Sequence, residues 1–190
     1  NVDQADMYVG ISGDYGSIQA GRFEPYTISK IGSMMNIGGS EEADIVITTG
    51  DGRSNGVIRY TSPSMNGLTV GVEGVADRGQ SGEDFATTAV FGQYSNGPLL
   101  VRAAQETQDG GSSADTKITT MGVSYKLDGL EARIVHVDDD NGASADETTT
   151  MYGVAYTMGA NTVSYGRLNG DVNDGDSIIG LKHAMSKNTS

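Results

Sequence analysis

The residue types that usually carry out catalysis or bind metals form no recognisable site in this chain of 190 residues. There is no cysteine, which excludes disulfides, thiolate metal sites and cysteine nucleophiles. His136 and His183 have no partners at metal-ligand spacing, and neither a G-x-S-x-G elbow nor a G-K-S/T phosphate loop is present. The acidic runs DDDNGASADE and GDVNDGD lack the spacing of a calcium loop. The sequence therefore predicts no enzyme, no cofactor and no metal site.

The charged residues are the remaining candidates for chemistry, and many of them surround one long stretch, 23–53. Arginines flank this stretch, and a cluster of three acids lies within it. These residues are Arg22, Arg53, Arg59, Glu41, Glu42 and Asp44. Opposite charges that face each other across an aqueous opening create a transverse field, which orients polar solutes and disfavours apolar ones. What these groups can do therefore depends on the elements that position them.

Outside this stretch the chain is a series of short segments rich in valine, isoleucine, threonine and tyrosine, separated by Gly, Asn, Asp and Pro. This pattern is typical of β-strands joined by turns, and no stretch sustains the 3.6-residue period of a helix. We predict eleven strands, at Met7–Asp14, Ser17–Phe23, Arg53–Ser62, Leu68–Asp77, Phe85–Ser95, Leu99–Thr107, Thr116–Lys126, Leu130–Val137, Glu147–Thr157, Asn161–Leu168 and Asp176–Met185.

The connections between the predicted strands alternate in length. Tight turns, such as Asn96-Gly97-Pro98, alternate with polar loops, such as 138–146. Every second connection of an antiparallel meander lies on the same side, so one rim should carry turns and the other long loops. The stretch 23–53 then falls on the long-loop rim. Short turns on one rim and long loops on the other are typical of bacterial outer-membrane barrels, whereas Greek-key crossings break this alternation.

The composition agrees with strands that are apolar on one face only. The net charge of −13 argues against a nucleic-acid surface. Only 36 % of the residues are hydrophobic, which is low for a soluble globular core. No run of 18 apolar residues occurs, so no transmembrane helix is predicted. A transmembrane β-strand needs only about 9–11 residues with every second one apolar, and such a chain is polar on average.

Side chains alternate between the two faces of a strand, and this alternation places the charged residues on one face. Arg53 and Arg59 are separated by an even number of positions and should point the same way. In later strands the charged residues alternate with apolar ones. They are Glu73, Arg102, Glu106, Glu131, Arg133 and Lys182. Because a charge on a lipid-facing position at mid-depth costs about 2–4 kcal/mol, we expect the charged face to line a lumen.

Three stretches, DMYVGISGDYGSIQAGRFEPY, GRSNGVIRYTSPSMNGLTVGVEG and IIGLKHAMSKNT, together resemble the general diffusion porins of Gram-negative outer membranes. The resemblance covers residues 1–190 as a single partial domain. It implies an all-β fold, an antiparallel up-and-down transmembrane β-barrel of sixteen strands. About eleven of these are present, with about three expected before Asn1 and two after Ser190. It also implies a constriction loop, at about 24–52, that folds into the pore.

The resemblance further implies site residues and partners. Arg22, Arg53 and Arg59 match the basic wall of a pore eyelet. The acidic candidates are Glu41, Glu42 and Asp44, because Asn36 stands where the family often has glutamate. The other lumen-facing charges are Glu73, Arg102, Glu131, Arg133 and Lys182. The family implies passive diffusion of small hydrophilic solutes and ions through a homotrimer, surrounded by outer-membrane lipid and lipopolysaccharide, with no nucleic acid and no chemical transformation.

Two alternatives belong to other functional classes. A soluble extracellular Asp/Gly-rich β-sheet module for binding or adhesion predicts Gly-Gly-x-Gly-x-Asp repeats at a fixed period, and none occurs. An outer-membrane barrel enzyme needs a nucleophile, a histidine and an acid on adjoining strand faces. Neither His136 nor His183 has such partners in the predicted strands.

Overall fold

The computed structural model of the protein describes residues 6–37, 53–76, 85–111, 113–140, 142, 145–171 and 175–185. Within these ranges eleven β-strands follow one another along the chain, as the sequence predicts. They are β1 Met7–Gly13, β2 Gly16–Phe23, β3 Ser54–Thr61, β4 Leu68–Ala76, β5 Phe85–Asn96, β6 Leu99–Gln108, β7 Thr116–Leu127, β8 Leu130–Asp140, β9 Glu147–Met158, β10 Asn161–Gly170 and β11 Ser177–His183.

The strands form one antiparallel sheet in the order β1 to β11, with β1 and β11 at its two edges. The prediction of an antiparallel all-β meander is therefore confirmed. Some strands continue further toward the long loops than their apolar pattern indicates. Apolar alternation in β8 ends at Val137, yet pairing with β7 continues to Asp140. Backbone hydrogen bonds do not depend on side-chain polarity, so the acidic end of β8 still pairs.

Residues 24–37, here called the docked segment, leave β2 and fold over one face of the sheet. The segment contains a π-helical turn, Thr27–Ile31, and a 3-10 turn, Gly32–Met34. Its apolar side chains pack on the sheet in the main hydrophobic cluster, whose buried members are Tyr26, Ile31, Met34, Met35, Phe91, Ala104, Ile118, Val135, Val137, Met151 and Leu168. No helix in the described ranges is long and apolar enough to cross a membrane.

The docked segment distinguishes the two faces of the sheet. We call the face beneath it the covered face and the opposite one the bare face. Strand register places Arg59, Glu73 and Ala89 side by side on the covered face. The bare face carries exposed apolar side chains, including Ile58, Val72, Val90, Met121, Val123, Ile134, Val154 and Val163. Tyrosines near its short-turn rim are Tyr60, Tyr94, Tyr125 and Tyr156.

A bulge interrupts the alternation of β3. Gly21 pairs with Val57, but Phe23 pairs with Ser54, so β3 contains one extra residue between these pairs. Gly56 lies in the bulge with a φ of 76°, a conformation that glycine adopts without steric cost. Parity therefore does not relate Arg53 to Arg59, because side chains do not alternate simply through the bulge.

Candidate functional site

The docked segment begins at a buried ion pair on the covered face. Arg59 and Glu73 are cross-strand neighbours, and Arg59 Nε lies 2.5 Å from Glu73 Oε2. The Tyr26 N–H donates to Glu73 Oε1 at 3.2 Å, and Arg59 Nη2 donates to the Glu24 carbonyl oxygen at 2.7 Å. Arg59 is 8 % exposed and Glu73 6 %. The pair thus fixes the path of the chain as it leaves β2.

Aromatic side chains surround this ion pair. The Tyr26 ring stacks on Phe91 of β5, with the ring centroids 3.8 Å apart and an angle of 10° between the planes. The Arg59 guanidinium carbon lies 4.7 Å from the centroid of the Phe23 ring, within cation–π range. Burial raises the pKa of the Tyr26 hydroxyl. The Tyr26 Oη atom is buried and has no hydrogen-bond partner among the described residues.

Two further arginines reach the docked segment from the sheet. Arg102 of β6 donates from Nη1 to the Lys30 carbonyl oxygen at 2.5 Å. Arg133 of β8 donates from Nη1 to the carbonyl oxygens of Met34, at 3.1 Å, and Asn36, at 3.2 Å. These bonds satisfy carbonyls of the irregular segment that regular secondary structure leaves without partners.

Glycines of the sheet leave space for the apolar side chains of the docked segment. A Cβ atom built on Gly122 would lie 2.8 Å from Met34 Sδ, and one built on Gly153 would lie 2.8 Å from Ile37 Cδ1. Both distances are below normal contact. Each glycine therefore provides a notch in the covered face into which one side chain of the segment fits.

Arg53 precedes β3 and lies between two acids. Its Nε atom is 2.5 Å from Asp6 Oδ1, and its Nη1 atom is 3.5 Å from Glu24 Oε1. Both acids line a recess of about 500 Å³ between the docked segment and the first strands. Lys30, Arg59 and Arg102 are also lining residues. The recess therefore combines acidic and basic groups at the start of the docked segment.

The other predicted charges occupy different positions. Glu131 lies on the covered face, 2.6 Å from Arg133 Nη2 and 3.6 Å from Lys126 Nζ. Lys182 also lies on the covered face, since its neighbour Thr162 alternates with Ser164, which is 3 % exposed. Glu41, Glu42 and Asp44 lie outside the described residues.

Arg22 does not share a face with Arg59, Arg102 and Arg133. It pairs with Met7 and alternates with Gly21 and Phe23 along β2. Phe23 contacts Arg59 and therefore marks the covered face. The register assigns Arg22 to the bare face, in contrast to the expectation that it lines the opening.

Several residues of the site are missing from the sequence-based prediction. Asp6 and Glu24 contact Arg53, and Gln93 accepts a hydrogen bond from Arg102 Nε at 2.8 Å. Asp6 and Arg53 are 47 positions apart, so no local spacing links them. Pairing Gln93 with Arg102 required the exact register of β5 and β6, which alternation alone does not provide.

The two histidines have neutral neighbours. His136 Nδ1 lies 2.8 Å from Thr150 Oγ1, and His183 Nδ1 lies 2.7 Å from Asn161 Oδ1. Within the part of the chain that the structure describes, no group of three His, Asp or Glu side chains is placed to hold a metal ion. The geometry of the described residues thus centres on the contacts between the docked segment and the covered face.

The sequence matches a known family over its whole length. The model of the Gram-negative porin family aligns with residues 1–190. The chain belongs to the Gram-negative porin family. This membership confirms the resemblance stated above and locates the protein in the bacterial outer membrane. A search of curated proteins found no match.

Solved porin structures share the fold of this family member. The anion-selective porin from Comamonas acidovorans superposes with a TM-score of 0.70 at 21 % identity, covering 97 % of this chain and 64 % of that one. A porin refined at 1.8 Å resolution gives a TM-score of 0.72 at 21 % identity, covering 95 % and 71 %. Salmonella typhi OmpF in complex with daunomycin gives 0.65 at 12 % identity, covering 90 % and 64 %.

The chain spans 64 % of the length of the Comamonas acidovorans porin, and at these identities the likeness concerns the fold. The all-β antiparallel architecture of this porin-family chain is thereby confirmed. The porin family and fold are those of channels that perform no catalysis.

Proposed function

We propose that the full-length protein forms a water-filled channel through which small hydrophilic solutes and ions diffuse passively across the outer membrane. The observation that carries this proposal is the two-faced sheet with a segment folded over its charged face. Lipid-facing and lumen-facing residues alternate along the strands of such barrels. The bare face suits lipid, and the covered face suits a channel wall. Irregular backbone is tolerated at membrane depth where it meets protein and water, as the docked segment would.

The exposed apolar residues favour this proposal over a soluble binding or adhesion module. Val72, Val90 and Met121 are 52 %, 55 % and 52 % exposed on the same face of three strands. Soluble monomers rarely expose contiguous apolar patches of more than a few hundred Å². A surface of this kind is stable in lipid, whereas in water it would promote aggregation.

We also propose that the constriction loop, about 24–52, forms the acidic side of an eyelet. Arg53 would contribute to the basic side, since its side chain is 32 % exposed and lies beside the recess. Arg59 would contribute to the basic side less directly, because it lies beneath the docked segment and Glu73 compensates its charge. Arg22 has no place in this proposal. The acidic candidates remain Glu41, Glu42 and Asp44.

The remaining proposals concern the channel wall and the assembly. Charged residues on the covered face would keep the lumen polar and tune its ion selectivity. They are Glu73, Arg102, Glu131, Arg133 and Lys182. The protein would work as a homotrimer in contact with outer-membrane lipid and lipopolysaccharide, and solutes would pass without chemical change. Chemical cross-linking of the full-length protein in detergent tests the trimer, since a monomer alone would contradict it.

Solute entry into proteoliposomes tests the channel function. The full-length protein is reconstituted into lipid vesicles, and osmotic swelling is followed with a series of sugars of increasing size. A size-limited channel predicts fast swelling with monosaccharides and progressively slower swelling with larger oligosaccharides. Vesicles that swell no faster than protein-free controls would contradict the proposal. Entry of one sugar only would indicate a specific transporter instead.

A further inference from the structure

Three arginines of the covered face share one pattern of contacts. In each, the Nε atom is bonded to an acceptor oxygen of the sheet, and a terminal guanidinium nitrogen is bonded to a backbone carbonyl of the docked segment. The arginines are Arg59, Arg102 and Arg133, and their sheet acceptors are Glu73, Gln93 and Glu131, respectively. The arrangement recurs on β3, β6 and β8, so it follows the segment across the sheet.

The order of these arginines along the sheet matches the order of their acceptors along the segment. Arg59 contacts the carbonyl of Glu24, Arg102 that of Lys30, and Arg133 those of Met34 and Asn36. The segment is thus held at its beginning, its middle and its far end. Between these points the apolar side chains of Ile31 and Met34 are buried against the sheet.

Two of the contacts fall at the ends of helical turns. Lys30 belongs to the last part of the turn Thr27–Ile31, and Met34 ends the turn Gly32–Met34. Carbonyls at a helix C-terminus have no partner within the helix, and a cation placed there is favourable. Arg102 and Arg133 therefore cap both turns from outside the segment.

The sheet acceptors orient the guanidinium groups. Arg133 Nε lies 2.6 Å from Glu131 Oε1, and Arg102 Nε lies 2.8 Å from Gln93 Oε1. A guanidinium is planar, so fixing Nε also fixes the direction in which the terminal nitrogens point. Each arginine is thus a rigid bridge between two strand positions and the segment, a geometry that a positive charge alone does not supply.

We propose that Arg102 and Arg133, together with Arg59, are positioning residues that hold the constriction loop against the channel wall. The proposal rests on the proposed channel function, since it names the anchors of that channel's constriction. The essential property is the guanidinium fork. Its loss releases the segment even when the charge at the position is kept.

Arginine-to-lysine variants separate anchoring from charge. Lysine keeps the positive charge but lacks the fork that reaches the sheet acceptor and the segment carbonyl together. The full-length protein carries a nitroxide label on Lys30→Cys as its sole cysteine, since the Lys30 side chain is exposed, whereas the Ser33 hydroxyl donates to the Lys30 carbonyl that Arg102 contacts. In lipid vesicles we expect Arg102→Lys and Arg133→Lys each to increase the mobile population of the label about tenfold, the effect of losing one charge-assisted hydrogen bond.

Ion selectivity and a matched variant provide the controls. Arg167 lies on the bare face, where its Nε bonds Asn169 Oδ1 at 2.9 Å, so Arg167→Lys should leave the label unchanged. The reversal potential in planar bilayers should change less in Arg133→Lys than in Arg133→Met, because lysine keeps the positive charge even where the segment is released. Arg133→Met should change both label mobility and reversal potential.

The anchoring proposal and the channel proposal are contradicted by different results. Label mobility that is the same in the wild type, Arg102→Lys and Arg133→Lys would overturn the anchoring proposal. A wild-type protein that inserts in vesicles without conducting ions would overturn the channel function instead. The label comparison does not need conductance, so it still decides the anchoring in that case, and two independent variants guard against misfolding of one.

Discussion

Arg53 occupies a position where one side chain can alter the local field. Its guanidinium lies between Asp6 and Glu24 at the edge of the recess, and about one third of the side chain is exposed. A partly exposed charge acts on ions that pass close to it. The charge of Arg59, in contrast, is compensated by the Glu73 carboxylate 2.5 Å away. Among the arginines proposed for the eyelet, Arg53 is therefore the best target for a change in selectivity.

Arg53→Glu should increase cation preference. The substitution removes a positive charge and adds a third carboxylate beside Asp6 and Glu24, so the local potential becomes more negative. Reversal potentials of the full-length protein under a salt gradient in planar bilayers measure the shift. Arg167→Glu, on the bare face, is the control and should leave the potential unchanged. An unchanged reversal potential in Arg53→Glu would remove Arg53 from the eyelet.

Tyr26→Phe should alter the response to high pH. Burial raises the pKa of the Tyr26 hydroxyl above its ordinary value, 10.0. The folded protein therefore holds this proton more tightly than the unfolded chain, and the related stability, fully present below pH 10, is lost as the pH rises above that value. Thermal unfolding of the full-length protein in detergent, from pH 8 to 11, should show a smaller decline in Tyr26→Phe than in the wild type.

The same variant has an expected effect at neutral pH. Phenylalanine keeps the stacking on Phe91 and removes a buried hydroxyl that has no partner among the described residues. Its stability should equal that of the wild type or exceed it by about 1 kcal/mol. Identical pH profiles for the two proteins would contradict the raised pKa of Tyr26. A marked loss of stability at pH 7 would show that the Tyr26 hydroxyl makes a favourable interaction.

The strands and the docked segment depend on each other at a few close contacts. Gly71 of β4 lies under the Phe91 ring, and the Phe91 ring stacks on that of Tyr26 in the docked segment. Glycines in strands often mark positions where another group must approach closely. The position of the segment is therefore linked to residues of the sheet that have no side chain at all.

Gly71→Ala should be destabilising. A Cβ atom there would overlap the Tyr60 carbonyl oxygen and the Phe91 ring. Overpacking of this kind costs about 1–3 kcal/mol, and here one of the overlapping atoms belongs to the backbone and cannot rotate away. Gly92→Ala is the matched control, because its nearest neighbour is 3.8 Å away. The temperature at which the folded barrel is lost in detergent measures both, and equal values would contradict the close-contact explanation.

Much of this element-scale structure could be predicted from the sequence, because alternation reports directly on strands. Leu68, Val70 and Val72 of β4 alternate with Thr69, Gly71 and Glu73, and the structure separates the two sets. The interruption at Gly56 could not be predicted, since many glycines of the chain occupy ordinary strand positions. The turns in residues 24–37 were also missed, because each spans too few residues to show a period.

The site was less predictable than the strands. That charged residues such as Arg102 and Arg133 share a face follows from parity alone. The partners of these arginines cannot be predicted from parity, because Arg133 contacts carbonyls of residues 97 to 100 positions earlier in the chain. Every residue has a backbone carbonyl, so the residue types in the sequence do not show which carbonyls accept these hydrogen bonds. Contacts of side chains with a distant, irregular backbone therefore require the folded structure.

At the scale of the whole molecule, the two faces of the sheet differ in the residues that they present. The bare face has apolar residues at mid-strand and tyrosines near the short-turn rim, the arrangement of a surface that spans lipid and ends in an aromatic girdle. The covered face has buried charges and the docked segment. The sheet thus presents an apolar surface on its bare face and, on its covered face, buried charges beside the apolar cluster beneath the docked segment.

A lysine on the bare face should therefore impair insertion. Val72 lies at the middle of β4 on that face, where a charge costs about 2–4 kcal/mol in lipid. Val72→Lys should lower the folding yield of the full-length protein in lipid vesicles. Thr69→Lys, on the covered face of the same strand, should have a much smaller effect. Equal yields for the two variants would argue that the bare face does not meet lipid.

The most direct test of the channel function is the ion conductance of the purified full-length protein in planar lipid bilayers. The structure predicts that the protein requires detergent for solubility and, once inserted, produces discrete conductance steps with an ohmic open state, as expected for a passive aqueous pore. A water-soluble monomer that leaves the bilayer current unchanged would contradict the proposal.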